Sequence, residues 1–176
     1  MLVNNKNYKT LWIKDNIVNI IDQTKLPFKF EKIELKTLSD FCNAIKKMQV
    51  RGAPLIGVTA AFGMAVSIRN NPTINNIEKS YKRLFSTRPT AVNLKWALEI
   101  MKKKLIKTPK PMRIKVALKL AKKISSADER ACEAIGKNGF EIINKIYKKK
   151  KRVINILTHC NAGWLAAIDW GTALAP

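Results

Sequence analysis

From Leu11 to Asp22 the chain reads LWIKDNIVNIID, two short apolar-rich runs on either side of Asp15-Asn16. Runs of this length around a dipeptide that tolerates a left-handed backbone predict two strands joined by a tight turn. Phe30 to Lys36 alternates apolar and charged positions and adds a third strand, so a small antiparallel sheet opens the fold. Ser39 offers an N-cap for a helix through Met48, because Phe41, Cys42, Ile45 and Met48 recur at helical spacing, which places Cys42 in the core. The stretch GAPLIGVTAAFGMAV is apolar all round and poor in β-branched residues. It predicts a buried central helix with Pro54 in its first turn and Gly57 and Gly63 where neighbouring backbones can come close. Helical periodicity continues over Ile77 to Phe85, Ala91 to Leu105, Pro111 to Ile124 and Ser126 to Tyr147.

After residue 150 the pattern changes. The basic run from Lys148 to Arg152 sits where the last helix ends, and cations there suit the negative end of the helix dipole; a nucleic-acid or localisation signal is the other use of such a run. It is followed by VINILT, a short apolar run of the kind found in parallel strands covered on both faces. The predicted class is α/β (α+β overall). Residues 1–150 form a mainly helical domain with a small β-sheet, and residues 151–176 contribute the first strand and helix of a Rossmann-like α/β domain.

Composition narrows the function classes. The net charge of +22 arises from 27 Lys and 7 Arg against 12 Asp and Glu, which raises a polyanion partner as one reading. The Lys residues are scattered, however, and no aromatics are interleaved with them as a stacking platform requires, so a solvated Lys-rich surface is the other reading and no specific nucleic acid is expected. Cys42, Cys132 and Cys160 are odd in number and unrelated in spacing, against a disulfide framework or a zinc site. The most apolar stretch, Pro54 to Ile68, is too short for a membrane span, and a cytoplasmic protein is expected.

Three turns carry candidate chemistry. In VRGAP, Arg51 and Gly52 directly precede the Pro54 helix start, offering backbone N–H groups, the positive end of the dipole and a guanidinium to one anion; a solvated Arg on an ordinary helix-starting turn is the alternative. Arg88 in TRPTAVNL precedes a second helix start in the same manner. HCNAGWLA places Cys160 in a strand-to-helix turn at the carboxyl end of a strand, where open α/β sheets bind ligands. A thiol at a helix N-terminus is predicted to ionise more readily than usual; a small thiol packed beneath a loop is the alternative. His159, pointing the other way, reads as structural.

The segments MQVRGAPLIGVTAAFGMA, STRPTAVNLKWAL and ILTHCNAGWLA, supported by DQTKLP at Asp22 to Pro27 and GTALAP at Gly171 to Pro176, together resemble the methylthioribose-1-phosphate isomerases, in order and spacing along the whole chain. The fold is shared with the regulatory subunits of initiation factor 2B. The resemblance implies interconversion of 5-methylthioribose 1-phosphate and 5-methylthioribulose 1-phosphate in methionine salvage, with a sugar-phosphate substrate and no cofactor or metal. It implies that Arg51, Gly52 and Ala53 hold substrate, that Arg88 is a second anchor, and that Cys160 is the catalytic thiol.

The resemblance also implies a catalytic aspartate and further substrate contacts in a C-terminal half that this sequence does not contain; Asp169 stands where the family carries small or apolar residues and is not assigned that role. The chain is therefore expected to be impaired or inactive alone, with its last 25 residues docked loosely, and to act as a homodimer or with a separately encoded C-terminal half. A basic RNA-binding or regulatory non-catalytic relative is the alternative.

Overall fold

A computed structural model describes residues 1–176. Its elements, in chain order, are strands β1 (Leu2–Val3), β2 (Lys6–Asn7), β3 (Leu11–Lys14), β4 (Ile17–Ile21) and β5 (Lys32–Leu35), then helices α1 (Leu38–Lys46), α2 (Ala53–Ser67), α3 (Ile74–Phe85), α4 (Val92–Ile106) and α5 (Arg113–Lys150). Single 3-10 turns lie at Lys110–Met112, Trp164–Ala166 and Thr172–Leu174. The protein is thus mainly helical with two small antiparallel sheets.

The three-stranded sheet has the order β3-β4-β5, with Leu11 opposite Ile20 and Lys14 opposite Ile17. That register leaves Asp15 and Asn16 as a two-residue loop, and their φ values of 50° and 60° match the turn whose twist suits the flanking strands. The β1-β2 hairpin uses the same chemistry at Asn4 and Asn5, with φ of 48° and 58°, but its strands are two residues long and give no periodic signal. Helix α1 begins earlier than the Ser39 cap predicts. Thr37 is the cap: its hydroxyl accepts from Asp40 N at 3.3 Å while Asp40 Oδ2 accepts from Thr37 N at 2.7 Å. This reciprocal pair satisfies two helix-end donors at once, which Ser39 cannot do.

Helix α2 is the centre of the molecule, buried from Leu55 through Val66 without a break, and α1, α3, α4 and α5 all pack on it. Gly63 permits this crowding: a Cβ there would sit 3.1 Å from side-chain atoms of both Phe41 and Leu84. The two helices predicted over Pro111 to Ile124 and Ser126 to Tyr147 are one helix, α5, of 38 residues, about 57 Å long at 1.5 Å per residue. Ser125 and Ser126 do not interrupt it, because Ile124 and Cys132 on either side are buried on one face. At its start the buried guanidinium of Arg113 donates to the carbonyls of Leu105 (3.1 Å), Thr108 (3.0 Å) and Pro72 (2.7 Å), using the negative end of α4 as its counter-charge. At its far end Lys151 takes a left-handed φ of 48° and its N–H caps Tyr147 O at 2.7 Å.

Beyond α5 the structure corrects two expectations. Val153 to Leu157 is not a strand, and Val153 and Leu157 are 84% and 97% exposed. A strand exists only as part of a hydrogen-bonded ladder, and no other strand of residues 1–176 runs beside this one. Of the last 25 residues, those before Ala162 lie almost wholly exposed, but the segment from Trp164 is docked: it folds back along the helices and buries Ala166, Ala167 and Ile168.

Removing either half of the Thr37–Asp40 cap should cost about 1 kcal/mol of stability in chemical denaturation. In Asp40→Ala the loss should depend on pH. Partial burial pushes the Asp40 carboxyl up, but hydrogen bonds from the Thr37 and Lys36 N–H groups and the Thr37 hydroxyl outweigh this and hold it below its ordinary 3.8. Its stabilisation is therefore present above that value and disappears as pH falls through the lower folded-state value.

Candidate functional site

The Arg51 turn is built by two constraints. Met48, with φ of 58°, ends the α1 region, and Val50 is fully buried, which pins the chain before the turn. Arg51 is half-buried, its Nε donating to Met48 O at 3.3 Å. Gly52, at φ of 85°, is the N-cap of α2, and no side chain caps the helix. The left-handed φ favours glycine, and packing requires it as well: a Cβ on Gly52 would overlap the Cα and carbonyl of Ala166. Ala53 is the first, exposed residue of the helix and Pro54 the second.

Arg88 occupies a similar place. Its carbonyl accepts from Ala91 N at 3.0 Å, and α4 follows, again without a side-chain cap. Gly57, in the second turn of α2, lies where a Cβ would stand 2.9 Å from Asn93 O in the first turn of α4. The N-terminal ends of α2 and α4 therefore lie together, and the Arg51 and Arg88 turns share one end of the helical domain. Between them and α5 opens a mostly apolar cleft of about 230 Å³, lined by Pro54, Gly57, Asn93, Trp96, Ile124 and Asp128 among others.

Cys160 is reached differently than expected. It is exposed, at φ of 69°, in a bend beside exposed His159. The helix predicted to begin beneath it is a single 3-10 turn, Trp164–Ala166, so the row of aligned peptide dipoles that a helix N-terminus offers a thiol is absent from this position. The tertiary structure does place Ala166, six residues after Cys160, on Gly52, the residue that follows Arg51. The other two thiols are buried at Cys42 and Cys132, and burial pushes both up.

Three polar residues, Thr10, Gln23 and Asp128, hold the segment from Trp164 to Ile168, and Asp22 braces Gln49 beside them. Thr10 N donates to Ile168 O at 3.0 Å and its hydroxyl to Trp164 O at 3.0 Å. Gln23 Nε2 donates to Leu165 O at 2.7 Å, while its own N–H donates to Gln49 O at 3.0 Å. Asp22, buried beside it, accepts from the Thr24 N–H and hydroxyl on Oδ1 and from Gln49 Nε2 on Oδ2. On the other side Asp128 Oδ2 accepts from Ile168 N at 2.9 Å. Burial pushes the Asp128 carboxyl above the usual range, against the Ile168 hydrogen bond and with the help of nearby Glu129. The sequence signal for Asp22 and Gln23 was the DQTKLP segment; Asp128 carried none, being one polar position on a long helix. Asp169 is engaged at its Oδ1 by the Met1 ammonium at 3.3 Å and the Trp170 N–H at 2.9 Å.

Comparison with known proteins identifies relatives of this chain. The profile of the initiation factor 2 subunit family matches residues 49–170, from the Arg51 turn through the cysteine turn. Over the whole chain the sequence is 49% identical to a methylthioribose-1-phosphate isomerase of Paramagnetospirillum magneticum and 48% identical to that of Escherichia coli, covering 49% and 48% of those proteins. Among solved structures, 5-methylthioribose 1-phosphate isomerase from Pyrococcus horikoshii superposes with a TM-score of 0.79 at 34% identity, over 97% of this chain and 48% of that one. Translation initiation factor eIF-2B subunit delta from A. fulgidus gives the same score and identity over 96% of this chain and 49% of that one. The chain spans about half the length of the relatives it matches.

Gly52→Ala should cost about 2 kcal/mol or more, since it combines a disfavoured φ with the overlap on Ala166; urea denaturation measures it. Asp128→Asn keeps an acceptor for Ile168 N and removes the ionisable group. Because the folded-state value of Asp128 is raised, its contribution is fully present below 3.8 and lost as pH rises through the folded value. The Asn variant should therefore be the more stable protein near neutrality, and its advantage should vanish in urea titrations carried out below that pH.

Proposed function

This chain belongs to the initiation factor 2 subunit family, and on that premise we propose that it supplies the N-terminal share of an aldose-ketose isomerase site acting on 5-methylthioribose 1-phosphate. The observation that carries the reading is the 47–49% identity to methylthioribose-1-phosphate isomerases over the whole chain, which takes in all three turns. Arg51, with the uncapped α2 N-terminus at Gly52 and Ala53, binds the substrate phosphate through its guanidinium and backbone N–H groups. Arg88, at the same end of the domain, is the second anchor. Cys160 handles the hydrogen in transit.

The reaction needs no external oxidant. Ring opening breaks the C1–O4 bond, the hydrogen on C2 passes to C1, and the proton of the C2 hydroxyl ends on O4, so C2 is oxidised as C1 is reduced. The rest of the site comes from polypeptide matching the remaining half of the relatives, either in a longer chain or as a separate partner; a homodimer of such assemblies fits the same reading. In that assembly residues 1–150 are the helical domain and residues 151–176 open the second, α/β domain, with Val153 to Leu157 gaining the strand partners it has none of in residues 1–176. A cytoplasmic setting suits three unpaired thiols, and no helix is long and apolar enough to cross a membrane. The reading as a non-catalytic regulatory relative is supported by the equal likeness to eIF-2B subunit delta, but the higher identities are to isomerases.

The test is conversion of 5-methylthioribose 1-phosphate by residues 1–176 alone and mixed with the C-terminal half of the Escherichia coli isomerase. Little turnover is expected alone and measurable turnover in the mixture. There, Cys160→Ser should lower kcat by about 10²-fold or more, and Arg51→Ala should lower kcat/KM by about tenfold or more. Full activity of residues 1–176 alone would overturn the division of the site. Indifference to both substitutions would overturn the assignments.

A further inference from the structure

The DQTKLP segment and Asp128 take no part in the chemistry proposed above, yet both grip the same five residues. Trp164 to Ile168 runs between the β3 side of the domain and α5. Thr10 and Gln23 hold it from one side, through the carbonyls of Trp164, Leu165 and Ile168. Asp128 holds it from the other, through the Ile168 N–H. Gln23 is itself 95% buried, and its backbone is hydrogen-bonded to Gln49, two residues before Arg51. Gln23 thus touches the segment after Cys160 with its side chain and the segment before Arg51 with its main chain. Between these two points Ala166 lies on Gly52, with no space for even one added carbon.

We propose that Gln23 and Asp128 are positioning residues, clamping Leu165 to Ile168 onto Gly52 and so setting how far the Cys160 turn stands from the Arg51 turn. The inference rests on the isomerase reading for its consequence and on the contacts alone for its geometry. The physical case is one of precision. Phosphate held at Arg51 fixes C1 of the sugar, and a thiol on an otherwise exposed bend can meet the hydrogen passing from C2 to C1 reproducibly only if the chain just after it is held. A displacement of about 1 Å at such a group costs up to about 10²-fold in rate. A buried Gln with a single carbonyl partner and a half-buried carboxylate with a single N–H partner give two hydrogen bonds of fixed direction for that purpose.

The test uses Gln23→Met, which keeps the volume and loses the donor, Asp128→Ala, which loses the acceptor, and Asp128→Asn, which retains one. Amide hydrogen exchange on residues 1–176 reads the clamp directly. Exchange at Ala166 to Ile168 should rise by about tenfold or more in Gln23→Met and Asp128→Ala, and stay within about threefold of the parent in Asp128→Asn, while the α2 amides remain protected in all three. In the mixture with the isomerase C-terminal half, kcat should fall by about tenfold or more in the first two with KM within about threefold, and Asp128→Asn should restore it. Unchanged exchange at Ala166 to Ile168 overturns the clamp. Raised exchange with unchanged kcat overturns the positioning role, and so does a loss of activity that tracks only deprotection of α2. If the parent mixture shows no turnover, the isomerase reading fails, while the exchange measurement still decides whether Gln23 and Asp128 hold the segment.

Discussion

Helix α2 has no polar face, and the rest of the molecule is arranged to cover it. A helix that is apolar all round must be enclosed on every side, and α1, α3, α4 and α5 are its enclosure. Close packing then depends on small residues where backbones meet, and the three glycines at its start and along its length mark three such meetings: Gly52 with Ala166, Gly57 with Asn93, and Gly63 with Phe41 and Leu84. The first two lie at the N-terminal end. The demand for burial thus also gathers the N-termini of α2 and α4 and the returning segment at one end of the domain, where the arginines and the cleft are.

Polar groups complete what apolar burial begins. Arg113 is buried without a carboxylate partner because three carbonyls near the α4 C-terminus and Pro72 accept its protons, which fixes where α5 starts. Thr10, Gln23 and Asp128 do the corresponding work at the other end, each with a side-chain hydrogen bond directed at backbone of the returning segment. These contacts are specific in a way that burial is not. They fix the register of Trp164 to Ile168 against the domain, whereas the apolar contact of Ala166 alone would tolerate sliding.

The elements with a strong local period were legible in the chain. The Asp15-Asn16 hairpin, β5, α2 and α4 follow from alternation, turn chemistry and unbroken apolarity, and each lies where those patterns place it. The start of α1 differs from the sequence expectation because a serine resembles a cap wherever it stands, and only the reciprocal bond with Asp40 decides that Thr37 and not Ser39 acts as one. The Arg51 and Arg88 turns were legible because Pro and Gly announce helix starts. Their nearness to one another was not, since it depends on the α2-α4 contact at Gly57 and Asn93.

What the sequence by itself determined is therefore the elements of strong local period, the family, and the residues able to carry charge and thiol chemistry, because all of these are encoded in local spacing and in motif order. The tertiary structure alone decided that Trp164 to Ile168 lies on Gly52, that Gln23 and Asp128 hold it there, and that Val153 to Leu157 is left without a ladder. Those outcomes join residues from 40 to 142 positions apart, or turn on whether a neighbouring strand exists. A hydrogen bond or a close backbone approach across such a separation leaves no periodicity in the chain; it exists only once the core around α2 has brought the partners together.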